Sequence, residues 1–139
     1  MSETFSNPSP AEIRDLLQRV KRIGVVGLSP KPNRPSYQVA AAMQGYGYQI
    51  VPVRPATAEV LGETAYGELS QVPGEIDLVN VFRAPEHVGP IVDECLALGI
   101  KVLWLQEGVI NAAEARRARE AGMEVVMDRC LMKDYRSYC

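Results

Sequence analysis

Five short apolar runs recur along this chain, at Ile23–Gly27, Tyr48–Val53, Asp77–Phe82, Lys101–Leu105 and Met123–Met127, with helix-length segments between them. Runs that stay apolar on successive residues belong to strands buried on both faces. Strands joined through helices of about a dozen residues pair in parallel. Such crossovers are right-handed and place helices above and below the sheet. The chain is therefore expected to be α/β, with a five- to six-stranded parallel sheet flanked by helices. The sixth strand would come from Glu63–Leu69, as a short edge strand and a turn, after a loop over Arg54–Gly62.

The helices mark their own ends. Ser9-Pro10-Ala11-Glu12 combines a capping serine, a proline at the first helical position and a glutamate able to bond back to the cap. The helix it opens runs to about Val20 and packs Ile13, Leu16, Leu17 and Val20 on one side. A second, rich in small residues, is expected from Ser36 to Gly45. Pro85-Glu86 opens a third over Val88, Ile91, Val92, Cys95 and Leu96, stopped by Gly99, and Asn111 caps a fourth that ends at Gly122. The polar tail Leu131–Cys139 is compatible with one more.

With 139 residues, 47% of them hydrophobic, residues 1–139 suffice for one domain with its own core. A formal charge of -2 argues against binding nucleic acid through bulk positive charge. Met1–Pro10 is polar, and no apolar run approaches membrane-spanning length, so a cytoplasmic protein is expected. Cys95, Cys130 and Cys139 are odd in number and form no CxxC pair, which argues against a disulfide framework or a zinc site. His87 is the only histidine, so chemistry needing two imidazoles is excluded.

In an open parallel sheet a ligand binds beyond the carboxyl ends of the strands, where the strand order reverses. The segment Ile23-Gly24-Val25-Val26-Gly27-Leu28-Ser29-Pro30-Lys31 is built for this place: an apolar strand reaches a glycine turn, and a helix follows. Such a helix offers free N–H groups and its positive dipole end to an anion. The third glycine of the dinucleotide fingerprint is missing, and Pro30, Pro32 and Pro35 stiffen the loop. Lys31, Arg34, Arg54 and Arg83 all follow strands, and together they point to a multiply charged anion. A domain that binds NAD wants a carboxylate after its second strand for the ribose hydroxyls. Arg54 stands there instead, which leaves NADP or coenzyme A, each with an extra ribose phosphate. The missing glycine and the proline-bound loop favour coenzyme A.

Gly24-Val25-Val26-Gly27-Leu28-Ser29-Pro30-Lys31-Pro32-Asn33-Arg34-Pro35-Ser36-Tyr37 is similar to the opening of the small stand-alone coenzyme A-binding proteins. Those proteins resemble the N-terminal domain of the succinyl-CoA synthetase α subunit. Val81–Glu86, Lys101–Gly108 and Val125–Cys130 extend the resemblance, in order, across nearly all the chain beyond the first helix. The resemblance implies a three-layer Rossmann-like fold with coenzyme A lying across the strand ends. Gly27, Leu28, Ser29, Pro30 and Lys31 would hold phosphate beside Arg34 and Arg54. Phe82, Arg83 and Pro85 would line the adenosine or pantetheine path. Gln106, Glu107 and Gly108 would correspond to the synthetase's Thr-Glu-Gly turn, which contacts the ligand through its backbone. Arg54 falls in the region of a coenzyme-contacting lysine in the synthetase and departs from the asparagine common in the stand-alone proteins. The synthetase's phosphohistidine domain has no counterpart here, and its role does not pass to His87, which opens a helix.

The function expected is thus binding of coenzyme A or an acyl-CoA without catalysis, with a protein partner or a homodimer left open. Two alternatives stand beside it: an NADP-dependent oxidoreductase or redox sensor, and a small acyl-CoA-processing enzyme using Cys130 or Glu107. Cys130 would need cationic surroundings or a helix N-terminus to react, and buried cysteine is often merely a small apolar residue. Glu107 and Asp128 are expected to be structural, holding Arg129 or capping a turn. Trp104 is expected in the core, and Tyr37 suits packing or stacking on adenine equally.

Overall fold

A computed structural model describes residues 5–139. The chain runs through α1 (Pro10–Arg19), β1 (Arg22–Val26), α2 (Pro35–Gly45) and β2 (Gln49–Val53), then a hairpin of β3 (Glu59–Val60) and β4 (Glu63–Thr64). It continues with β5 (Leu78–Val81), α3 (Val88–Leu98), β6 (Val102–Leu105), α4 (Ala112–Glu120), β7 (Glu124–Met127) and α5 (Leu131–Tyr138). Five strands pair in parallel in the order β2-β1-β5-β6-β7. The chain leaves β1 for one edge and returns on the other side of β1, so the order reverses between β1 and β5. Except at the start of α3, the boundaries of the expected helices and of the five sheet strands fall within a residue or two of those observed.

Alternation along the strands divides the core in two. Leu78, Val102, Trp104, Ile23 and Val25 face α1, α2 and α5, where Leu16, Leu17, Met43 and Leu131 close over them. Val79, Val81, Leu103, Leu105 and Val125 face α3 and α4 and meet Val88, Val92, Ala115 and Ala118. Each such Leu or Val withdrawn from water contributes about 1.5–3 kcal/mol. Ser9 and Glu12 form the reciprocal capping box, with the Glu12 N–H on Ser9 Oγ (3.2 Å) and the Ser9 N–H on Glu12 Oε1 (2.9 Å).

The short strand expected within Glu63–Leu69 forms, as β4, but does not join the parallel sheet. Leu61 (φ 56) and Gly62 (φ 77) both turn through the left-handed region and fold the chain into the β3–β4 hairpin, where a loop was expected. Only Tyr66 then reaches the sheet, through a single bridge to Val53. The Tyr66 N–H donates to the Pro52 carbonyl (3.0 Å) and the Arg54 N–H to the Tyr66 carbonyl (2.7 Å). Pro52 is accommodated because β2 is an edge strand. Before α3 the chain makes a 3-10 turn over Pro85–His87.

Candidate functional site

Gly27 ends β1 at φ +88, a backbone conformation that favours glycine. A Cβ there would lie 3.0 Å from the Phe82 carbonyl oxygen and 3.1 Å from Arg83 Cδ, so the turns after β1 and β5 touch only because this side chain is absent. Four strand ends, of β2, β1, β5 and β6, are tied together at this point. Gly27 N–H donates to the Val53 carbonyl (2.9 Å), Phe82 N–H to Val26 (2.9 Å) and Gln106 N–H to Val81 (3.2 Å). Gly24, the other glycine of the segment, serves packing instead: its Cβ position lies 3.1 Å from Ile76 Cδ1.

Beyond Gly27 the loop is held by a serine that sequence reasoning did not single out. Ser36, buried in the first turn of α2, accepts from the Ser29 N–H through Oγ (3.0 Å), and Ser29 Oγ accepts from the Lys31 N–H (3.1 Å). No local pattern announces this pairing, because the path of the proline-rich loop creates it. Leu28 turns inward and is fully buried in the core under α1 and α2. It anchors the loop and contributes nothing to the cavity wall.

The start of α2 is open. Pro35 occupies its first turn, Arg34 stands at the cap with no side-chain hydrogen bond to the helix, and the first turn carries no acidic residue. A cavity of about 640 Å³ lies in front of it, walled by Gly27, Ser29, Pro30, Lys31, Arg34, Pro35, Ser36, Arg54, Phe82, Arg83, Gln106, Glu107 and Val109. Among the described residues none of Lys31, Arg34, Arg54 and Arg83 has a carboxylate partner. A second hollow of about 470 Å³ shares Gly27, Arg54 and Arg83 with the first and opens toward α3. Its apolar wall is Val26, Val53 and Ile91, and Glu68 and Glu94 add carboxylates.

The far wall is polar. Gln106, only 6% exposed, accepts through Oε1 from Asn80 Nδ2 (3.2 Å) and from the Leu131 N–H (3.4 Å). Glu107 is exposed and pairs with Lys133 Nζ at 3.3 Å. Gly108, at φ +85, donates its N–H to Asp128 Oδ1 (2.8 Å) and stands outside the cavity, as does Pro85, whose carbonyl accepts from Asn111 Nδ2 (3.1 Å). Of the residues expected at the site, ten line the cavity, and Leu28, Pro85 and Gly108 shape the turns behind it.

Glu107 and Asp128 do not form a carboxylate pair, since each has a partner of its own. Arg129 is held by Asp134, not by either of them, through Nε–Oδ2 at 2.6 Å and Nη2–Oδ1 at 2.9 Å. Cys130 is 4% exposed and packs in the core at the start of α5. Trp104 is fully buried and donates its indole N–H to the Arg129 carbonyl (2.8 Å). Tyr37 packs against the core. His87 is exposed at the end of the 3-10 turn. In a groove of about 510 Å³ at the opposite ends of the strands, Asp77 accepts from the Lys21 and Arg22 N–H groups, and Arg19 pairs with Asp15 and Glu124.

A parallel sheet that reverses between β1 and β5, with unpaired cations around an open helix terminus, defines a Rossmann-like domain with a cationic switch-point cavity. The family described as CoA binding domain matches residues 21–136, and the chain belongs to that family. It is 46% identical to the Bacillus subtilis (strain 168) protein YneT over 127 residues, covering 91% of this chain and 94% of that protein. A hypothetical protein from Pyrococcus horikoshii OT3 has the same fold, with a TM-score of 0.91, 34% identity and 99% of both chains covered. The α subunit of the ADP-forming acetate–CoA ligase II of Pyrococcus furiosus is 28% identical over 120 residues. That match takes in 78% of this chain and 26% of the ligase subunit. No helix among the described residues is long and apolar enough to cross a membrane.

Proposed function

We propose that this chain binds coenzyme A or an acyl-CoA across the ends of β1, β2, β5 and β6, in a single domain and without catalysing a reaction of its own. The observation that carries the reading is the meeting of an uncapped α2 terminus with four unpaired cations around one cavity. At some other places in the chain such groups are satisfied internally, as Arg129 is by Asp134 and the start of α4 by Asn111. Phosphates of the ligand would take that role here, with charge-assisted hydrogen bonds from the guanidinium groups and free N–H groups of α2. The smaller hollow suits adenine, with an apolar wall for the ring and Glu68 and Glu94 for the exocyclic amine. The pantetheine arm would then run past Phe82 toward Gln106. The match to one segment of an acetate–CoA ligase subunit supports this assignment, because a domain that only holds the coenzyme would form a minor part of such a ligase.

Isothermal titration calorimetry against coenzyme A, dephospho-coenzyme A, NADP and NAD tests it. Coenzyme A is expected to bind, and removal of its ribose phosphate to weaken binding. Binding of NADP with none of coenzyme A would replace this reading with the oxidoreductase one.

A further inference from the structure

We infer that Gln106 reads a carbonyl oxygen on the arm of the bound ligand and so makes the site select for the arm as well as for the phosphates. This rests on the coenzyme A reading above. Two donors fix the orientation of the Gln106 amide. Leu131 N–H can only donate, so the atom it meets at 3.4 Å is the oxygen, and Asn80 Nδ2 meets the same oxygen at 3.2 Å. The nitrogen end is left for the cavity that Gln106 lines, and its two hydrogens have no protein acceptor among the described residues. A side chain 94% buried by the protein, with one end saturated and the other end two unmet donors, is a site for an acceptor.

Position decides which acceptor. Gln106 follows β6, two strands from β1, so it lies roughly 10 Å across the strand ends from the loop after Gly27. A phosphate held at the start of α2 does not span that distance, whereas the arm beyond the diphosphate does. The arm offers amide carbonyls, and an acyl-CoA adds a thioester carbonyl. Both are neutral oxygens that accept from an amide N–H. The neighbouring Glu107 carboxylate, paired with Lys133, argues against an anionic group at the same spot.

The test compares wild-type protein with Gln106→Glu and Gln106→Met by calorimetry. Gln106→Glu keeps an oxygen for Asn80 and for the Leu131 N–H at the start of α5, and presents an acceptor to the cavity where a donor stood. Gln106→Met keeps the length without any donor. The ligands are adenosine 3′-phosphate 5′-diphosphate, which lacks the arm, coenzyme A, acetyl-CoA and S-ethyl-coenzyme A. Both variants are expected to bind the armless nucleotide like wild type and to lose about tenfold in affinity for armed ligands. A loss shared by coenzyme A, acetyl-CoA and S-ethyl-coenzyme A locates the contact at an amide, and a loss confined to acetyl-CoA locates it at the thioester. Equal losses for the armless nucleotide, or no loss for any ligand, overturn the inference. Wild-type protein that binds no coenzyme A at all rejects the underlying reading with it. A readout independent of variant folding is the Gln106 side-chain amide NMR signal of the wild-type protein. It should shift on adding coenzyme A or acetyl-CoA and stay in place with the armless nucleotide, and an unmoved signal with every armed ligand overturns the inference.

Discussion

Replacing Gly27 with alanine sets two costs against each other's neighbours, the backbone of its own turn and the turn after β5. At φ +88 an alanine bears about 1–2 kcal/mol of left-handed strain. Its Cβ would also sit 3.0 Å from the Phe82 carbonyl oxygen, a backbone atom pinned by the Phe82 N–H bond to Val26. Displacing a packed segment of this kind costs about 1–3 kcal/mol. The total of about 2–5 kcal/mol corresponds to a fall in Tm of roughly 6–20 °C for a chain this long. Gly24→Ala is the internal control. Its neighbours are the methyl ends of Ile76 and Leu69, its φ carries no penalty, and alanine recovers about 0.5–1 kcal/mol of chain entropy, so its net effect stays within about 1 kcal/mol. Urea unfolding followed by far-UV circular dichroism measures both. Gly27→Ala costing under about 0.5 kcal/mol, or Gly24→Ala costing as much as Gly27→Ala, would refute the geometry argued here. Because the displaced turn carries Phe82 and Arg83, folded Gly27→Ala protein should also bind coenzyme A more weakly.

Arg54→Ala should weaken coenzyme A by about 1–2 kcal/mol, roughly 5–30-fold, in calorimetry, and an unchanged Kd would remove Arg54 from the phosphate site. Arg129→Met leaves the Asp134 carboxylate, 5% exposed, without its partner; the expected loss is about 2 kcal/mol, below that of a fully buried pair because the Arg129 side chain is 36% exposed. Asn80→Val should change unfolding free energy by no more than about 1 kcal/mol yet weaken coenzyme A several-fold, since it frees the Gln106 amide without disturbing the core. Burial pushes the Cys95 thiol and the Tyr48 hydroxyl each up to about 12, from 9.0 and 10.0. The unfolded chain loses these protons first, so their stabilisation is complete below pH 9 and declines as pH rises toward 12. Cys95→Ala should flatten the first part of that decline in a pH series of urea midpoints.

Legibility followed the range of the interactions. The Ser9–Glu12 box and the Asn111 cap lie within three residues of their partners and could be read directly. The strand ends were legible too, because a parallel sheet gathers whatever follows its strands, and Lys31, Arg34, Arg54 and Arg83 needed no finer knowledge to be placed together. Contacts between distant segments were not. The tail looks polar because its burial depends on partners far upstream: the Tyr135 ring stacks on Tyr46 at 4.3 Å between centroids, and the Tyr48 ring meets it edge-on. Ser36 and the hairpin turn at Leu61-Gly62 depend on the path of a loop, which proline content signals without specifying.

The same distinction explains how a chain with a net negative charge supports a cationic cavity with a fixed far wall. The cations come from loops, where charge costs nothing in folding, so they can remain unpaired until a ligand arrives. The wall cannot be built that way, because a donor aimed at a ligand must be held still, and holding it requires buried polar partners. Asn80, 1% exposed in the central strand β5, is such a partner. It gives up an apolar core position that Leu78, its neighbour on the same face, keeps, and spends both Nδ2 hydrogens on the Trp104 carbonyl (3.4 Å) and Gln106 Oε1. An apolar residue would pack there at no loss of stability. A polar group in mid-core is best explained by what it orients, and here it orients the buried side chain whose amide nitrogen is left for the cavity.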